Sequence, residues 1–388
     1  MVQEIRNNRR GASQPAQMGC ALDRRLLKNF DFALFLAAMA IVAFGCTMIY
    51  SASKGGHVGT RFVERQVVWA VIGLIAGAVV ASIDYGIFHR ISGKLYAINI
   101  VMLLAVIVLG ANSHGAQRWI GFGPISFQPS ELAKVILIIA LATFLVSRME
   151  KIRSFETFAL SFLYMSVPIL LIFKQPDLGT SLVLVAIWLT MLFVMGTDIK
   201  NVLIFVGTCA VLGFAVFHIH GVLKDYQKDR LVSFVDPAAD PRGSGYHVTQ
   251  SRIAIGSGQL VGKGFLGGTQ RELRFIPEQH TDFIFTVVGE ELGFVGSVTL
   301  LLLYFVLVWR ALHIMSATED AIARAIAAGV VGMFLFHIVV NIGMTLGIMP
   351  VTGVPLPMFS YGGSSLMANL MAVGLLEGIS MRRHRIAF

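Results

Sequence analysis

The chain has 388 residues, 56% of them apolar and only 14% charged, with a formal net charge of +9 at pH 7. One soluble core cannot hide that much apolar surface, so the composition excludes a water-soluble globular protein and points to a bilayer.

The apolar residues cluster into uncharged runs close to the roughly 20 residues that cross about 30 Å of hydrocarbon. In chain order the runs cover 32–50, 66–83, 95–111, 132–146, 158–173, 178–195, 202–217, 283–309, 325–349 and 364–379. Each is expected to be a helix, because a helix satisfies its own backbone polar groups in lipid. The alternation that a membrane barrel needs is absent from these runs. The fourth run carries Lys134 and the eighth is interrupted by Glu290 and Glu291. The expected fold class is therefore an all-α polytopic membrane protein with about ten transmembrane helices. A polar tail over 1–28 precedes a single membrane domain over 29–388, and a long loop over 218–281 joins the seventh and eighth helices.

Lys and Arg set the orientation. The two tails and the short loops on their side hold 17 of these residues, against 6 in the opposite short loops. The bias predicts cytoplasmic termini and an extracytoplasmic long loop. Together with anionic lipid it accounts for the positive charge, which gives no ground for nucleic-acid binding. The first apolar run is too long for a cleaved signal peptide and reads as a retained anchor. Cys20, Cys46 and Cys209 show neither a disulfide framework nor metal-ligand spacing.

Ionisable groups in membrane helices are costly and need a reason. Glu131 and Lys134 sit three apart at the start of the fourth run, on one helix face. They form either a structural ion pair or the wall of a polar cavity open to the outer side. His337 and Asn341, four apart in the ninth run, pose the same choice, with bonding between helices favoured. Asp177, in Gln175-Pro176-Asp177-Leu178-Gly179-Thr180, is first of all a helix cap, with a site role also open. In Arg118-Trp119 a cation stands beside an interfacial aromatic, where it can meet a phosphate.

Two Gly-rich stretches are ambiguous. Gly262-Lys263-Gly264-Phe265-Leu266-Gly267 matches a dinucleotide fingerprint without any βαβ context, so that reading is set aside. Its amides and Lys263 still suit a diphosphate. Ser360-Tyr361-Gly362-Gly363-Ser364-Ser365 leads into the last helix, whose N-terminus suits an anion, although its glycines equally serve close packing. Within the long loop, 247–255 reads as a short helix stopped by Gly256, and Phe265, Leu266, Phe275 and Ile276 are apolar anchors. Glu278, His280 and Asp282 crowd the boundary where the loop becomes the eighth helix. A carboxylate half desolvated at such a boundary suits a base, and the bland alternative for Asp282 is a helix N-cap. The three alternate, so an extended chain would offer them together to a hard cation, although nothing in the spacing demands a metal.

These motifs together resemble the SEDS family (shape, elongation, division and sporulation) from Leu27 to the end. The most specific pieces are Gln128-Pro129-Ser130-Glu131, the 175–180 turn, Pro277 to Phe285 with Glu290-Glu291-Leu292-Gly293, and Gly353-Val354-Pro355-Leu356-Pro357 ahead of Ser360. The lead-in Val351-Thr352-Gly353 is closer to the RodA branch than to FtsW, although position 279 is Gln where RodA proteins often carry Arg.

The resemblance implies a bacterial inner-membrane peptidoglycan glycosyltransferase that polymerises lipid II for elongation and rod shape. A class B penicillin-binding protein and other elongation-complex membrane proteins are the implied partners. It places the family's essential loop aspartate on Asp282 and its polar-cavity pair on Glu131 and Lys134. Arg118, Trp119 and Asp177 match motif residues. Lys263, His280 and Ser364 complete the candidate substrate contacts, and a divalent cation (Mg2+ or Mn2+, near Glu278, His280 and Asp282) stays open. A lipid II flippase and a non-catalytic scaffold are the competing readings. A transporter needs charges through the membrane depth, whereas here the distinctive groups gather at the outer ends of the fourth, sixth and eighth helices, which favours an enzyme.

Overall fold

The computed structural model describes residues 28–53, 56–113, 116–122, 125–218, 243–268 and 279–382. Eleven α-helices are present among them: α1 Phe32–Ala52, α2 Gly56–Ser82, α3 Tyr85–Leu109, α4 Pro129–Ser147, α5 Phe155–Lys174, α6 Leu178–Met195, α7 Ile199–His218, α8 Ser244–Ser257, α9 Ile284–Ser316, α10 Ala321–Leu346 and α11 Gly363–Arg382. Among the described residues nine are long and apolar enough to cross a membrane, and α7 has a shorter apolar stretch, Ile199–Val211. The protein is a multi-pass membrane protein. Helix α8 is the short loop helix expected near 247–255, and it runs past Gly256 to Ser257.

Burial sorts the helices. Some 83% of the apolar window is buried in α10 and α11 but only 22% in α3, so the first two form the centre and the last lies at the lipid boundary. On α2 the residues Val67, Val68, Val71, Ile75 and Val79 are exposed, a stripe that suits acyl chains. Helices α2 and α11 cross very closely, because a Cβ on Gly374 would lie 2.2 Å from the Gly77 carbonyl.

Two helices start about ten residues before their apolar runs. The first turns of α2 hold Arg61, Glu64 and Arg65, and those of α3 hold Arg90 and Lys94. Such side chains cost little where a helix end projects from the hydrocarbon. Between α3 and α4 lies a small antiparallel sheet that the run analysis did not anticipate, formed by β1 Ala111–Ser113, β2 Ala116–Phe122 and β3 Ile125–Phe127 in that order. Trp119 pairs with Ala111 and Ile120 with Phe127. Strands of three residues are too short to show a period.

Helix α9 is broken at Gly293 (φ 63°, ψ −153°) rather than at Glu290 and Glu291, both of which are buried. That backbone region is essentially open to glycine alone. The break frees backbone groups, and the 258–267 segment satisfies them. Lys263 and Gly264 N–H donate to the carbonyls of Glu290 and Glu291 at 3.0 Å. Phe294 N–H donates to Gln259 O at 2.9 Å and Val295 N–H to Leu260 O at 3.1 Å. The amides considered above as a diphosphate cradle are thus engaged with the helix break. Lys263 Nζ pairs with Glu290 at 2.8 Å, and Ser51 Oγ donates to Glu291 at 2.6 Å. Of the apolar anchors, Phe265 and Leu266 are exposed, and Phe275 and Ile276 lie outside the described residues.

A Cβ at position 293 would also lie 2.4 Å from Gly262 N. Gly293→Ala is expected to destabilise the protein by on the order of 3 kcal/mol. In thermal unfolding in detergent, Gly207→Ala should be near neutral, since a Cβ at position 207 meets nothing within 4 Å. Equal midpoints for the two variants would contradict this account of the break.

Candidate functional site

A cavity of about 220 Å³ opens where α4, α6, α9 and α11 all begin. Strand β2 contributes Arg118 and Trp119, α4 and its lead-in contribute Gln128 and Glu131, and α6 with its cap contributes Asp177 and Thr180. The turn before α9 supplies Thr281 and Asp282, and the segment before and into α11 supplies Gly353, Pro355, Tyr361, Gly362 and Ser365. The candidates thus converge from five stretches of chain onto one end of the bundle.

Asp282 sits against a glycine. Gly353 has φ +71°, and a Cβ there would lie 3.3 Å from Asp282 Oδ2, so the carboxylate lies close over this backbone. The N-cap position of α9 belongs to Phe283, one residue later, and no side chain makes a cap bond there. Asn341 Nδ2 donates to Asp282 O at 2.9 Å and to Val354 O at 2.7 Å, tying the two segments together. Ser360 Oγ donates to Thr281 O at 2.6 Å, and Tyr361 N–H donates to His280 O at 2.9 Å. Gln66 on α2 closes the loop from outside, donating to Ser360 O at 3.1 Å and accepting from Gly362 N–H at 3.3 Å.

A buried polar chain supports the same segment from below. Lys134 Nζ is 2.8 Å from Glu131 Oε2 and 3.2 Å from His337 Nε2. His337 Nδ1 lies 2.9 Å from the Pro355 carbonyl. An ammonium only donates and a carbonyl only accepts, so His337 is the neutral ring with its proton on Nδ1. The Glu131–Lys134 pair lines the cavity through Glu131 and braces the 353–355 backbone through His337. Asn341 bonds to the backbone of the site, and His337 joins that backbone at Pro355 to the Lys134 side chain on α4, a bond between helices.

Arg118 reaches the 175–177 turn. Its Nε donates to Gln175 O at 3.0 Å, its Nη2 donates to Pro176 O, and its Nη1 is 4.0 Å from Asp177 Oδ1. Asp177 caps α6 as expected, accepting from Thr180 N–H at 3.2 Å, and also receives Gln128 Nε2 at 3.1 Å. Ser364 is buried and its Oγ accepts from Gln128 N–H at 3.0 Å, so the next residue, Ser365, is the one that lines the cavity.

Other candidates stand apart. Lys263 is held at the α9 break, away from this wall. The His280 ring packs 4.9 Å from Phe62 and 5.5 Å from Tyr361. Glu278 lies outside the described residues. Among the described residues no three His, Cys, Asp or Glu side chains gather to hold a metal, and the suggested cation triad includes Glu278, outside them. Sequence reasoning had no role for Gly353, Gln66 or Tyr361. For Gly353 the signal was a glycine beside Val-Pro in the motif, whereas Gln66 gave none, since it opens an otherwise apolar run.

The fold is shared with known proteins. A family model described as cell cycle protein, covering FtsW, RodA and SpoVE, matches residues 31–385. The chain belongs to this family, the SEDS proteins. It is 39% identical to the peptidoglycan glycosyltransferase MrdB of Escherichia coli K12, over 92% of this chain and 95% of that protein. It is similar to a chain in a structure described as the structural coordination of polymerization and crosslinking by a peptidoglycan synthase complex (34% identity, TM-score 0.79, 92% and 99% of the two chains). The crystal structure of RodA from Thermus thermophilus is similar as well, at 31% identity and TM-score 0.68 over 92% and 98%.

The Glu131–Lys134 pair generates a test. Lys134→Met alone strands a buried carboxylate at a cost of roughly 3–5 kcal/mol, which Lys134→Met with Glu131→Gln relieves. The single variant should melt below the double variant, and both should be inactive. A double variant that melts no higher than the single one would remove the pairing argument, and an active one would make the pair purely structural.

Proposed function

We infer that this protein is a peptidoglycan glycosyltransferase that polymerises lipid II into glycan strands for cell elongation. The observation that carries the reading is the placement of the Asp282 carboxylate on the wall of one cavity that Arg118, Glu131 and the start of α11 also line. The relatives described above supply the reaction class.

In the proposed step an acceptor sugar hydroxyl attacks the donor sugar carbon that bears the lipid diphosphate. The new carbon–oxygen bond forms as the bond to the diphosphate breaks, and the hydroxyl proton passes to the Asp282 carboxylate. The diphosphate leaves with the bonding electrons. Its charge is met by Arg118 and by the N-terminal end of α11, where Gly362 and Ser365 border the cavity. Trp119 offers an apolar face for a sugar ring or the first lipid carbons.

The same reading places the protein in the bacterial inner membrane, with both termini cytoplasmic and the cavity on the outer side. It is supported by the 17-to-6 asymmetry of Lys and Arg. A class B penicillin-binding protein is the proposed partner for crosslinking, as the association of polymerization with crosslinking in the similar complex suggests.

Asp282→Asn keeps the shape of the side chain but cannot take the proton. Purified Asp282→Asn protein should bind lipid II within about twofold of wild type while losing polymer on a gel by at least about a hundredfold. Polymerisation near the wild-type rate would reject Asp282 as the base.

A further inference from the structure

The opposite end of the bundle carries an assembly that catalysis does not use. Arg310 on α9 grips Asp31, with Nε 3.0 Å from both carboxylate oxygens and Nη2 2.6 Å from Oδ2. Asp31 N–H in turn donates to Glu377 Oε2 at 2.9 Å. Glu377 is 2% exposed, and its Oε1 has no hydrogen-bond partner among the described residues. Arg310 pairs with Asp31 alone, so an ionised Glu377 adds a formal charge of −1. No other ion pair relieves it among the described residues. A buried carboxyl without a partner holds a proton or calls for a cation, and its unpartnered Oε1 calls for a hydrogen-bond partner as well.

Glu377 also stands in the wall of a crevice of about 100 Å³ between α1, α2 and α11. The rest of that wall is apolar: Phe35 and Met39 from α1, Leu74 and Ala78 from α2, Leu370 and Val373 from α11. Gly77 and Gly374, where α2 and α11 meet backbone to backbone, close one side of it. Glu377 lies five residues before Arg382, the end of α11, or about 8 Å along the axis. Asp31 caps the first turn of α1. The carboxylate is therefore near headgroup depth, and a rotation about its last side-chain bond presents Oε1 to the crevice. It is also 12 residues from Ser365, about 18 Å along the same helix from the catalytic cavity.

We propose that this crevice is a lipid site, in which Glu377 binds the primary ammonium of an aminophospholipid and the apolar wall receives one of its acyl chains. A primary ammonium brings both missing elements, one positive charge and N–H donors for Oε1. A trimethylammonium headgroup brings the charge without the donors, and an anionic headgroup adds to the misplaced charge.

The test is lipid retention by the full-length protein in native mass spectrometry. It uses phosphatidylethanolamine, phosphatidylcholine and phosphatidylglycerol with identical acyl chains. Wild type should retain one phosphatidylethanolamine about tenfold better than either of the others. Glu377→Gln should bring that preference close to one. Ala78→Leu, which narrows the crevice without touching the charges, should lower retention of phosphatidylethanolamine to a similar extent and keeps the test decisive if Glu377→Gln fails to fold. Equal retention of the three lipids by wild type, or an undiminished preference in either variant, would overturn the proposal and leave the crevice to water or unselective acyl chains.

Discussion

The structure depends on one constraint: two stretches of irregular backbone must be held at membrane depth without stranding their polar groups. These stretches are 279–283, which carries Asp282, and 353–362, which carries Gly353. In lipid such backbone survives only where protein groups satisfy it. Helix α10 meets the requirement with two side chains one turn apart, His337 bonding Pro355 O and Asn341 bonding both Val354 O and Asp282 O. Lys134 and Glu131 on α4 complete the chain of contacts beneath them. The charges in the bundle and the placement of the candidate base are thus consequences of one arrangement.

The α9 break solves a related problem. The long loop must return to the bundle, and the unwinding at Gly293 exposes donors and acceptors that stitch 258–267 into place. The loop helix α8 is fixed independently, because Ser251 Oγ lies 2.6 Å from Thr286 Oγ1 and donates to Thr345 O at 2.8 Å. Residues on either side of Asp282 in the fold are therefore anchored, which suits a group that must meet a reacting hydroxyl within hydrogen-bond reach.

Much of the helical frame was legible because lipid imposes one solution on a long apolar run. Leu178–Met195 has the expected bounds, with Asp177 as its cap and Gly196 in the left-handed conformation at its end. What escaped lay where lipid no longer decides. The starts of α2 and α3 are polar turns beyond the hydrocarbon, and two of the three β-strands are only three residues long. Within the site, Glu131, Lys134, Asp177 and Asp282 stood out because charge in or beside a membrane helix is rare. Gln66 and Gly353 could not, since their roles are backbone hydrogen bonds and room for a neighbour, which side-chain chemistry does not announce. Lys263 shows the converse, because the sequence offers it to a diphosphate without announcing the ion pair with Glu290 that the fold gives it.

The claim that α10 positions the catalytic segment is tested most directly at Asn341, which touches the backbone of Asp282 but does not line the cavity. Asn341→Ala should leave the folded, monodisperse protein able to bind lipid II within about twofold of wild type. Its single-turnover polymerisation rate should fall about a hundredfold, because small displacements of a reacting group are costly. A folded Asn341→Ala protein that polymerises lipid II at the wild-type rate would contradict the account.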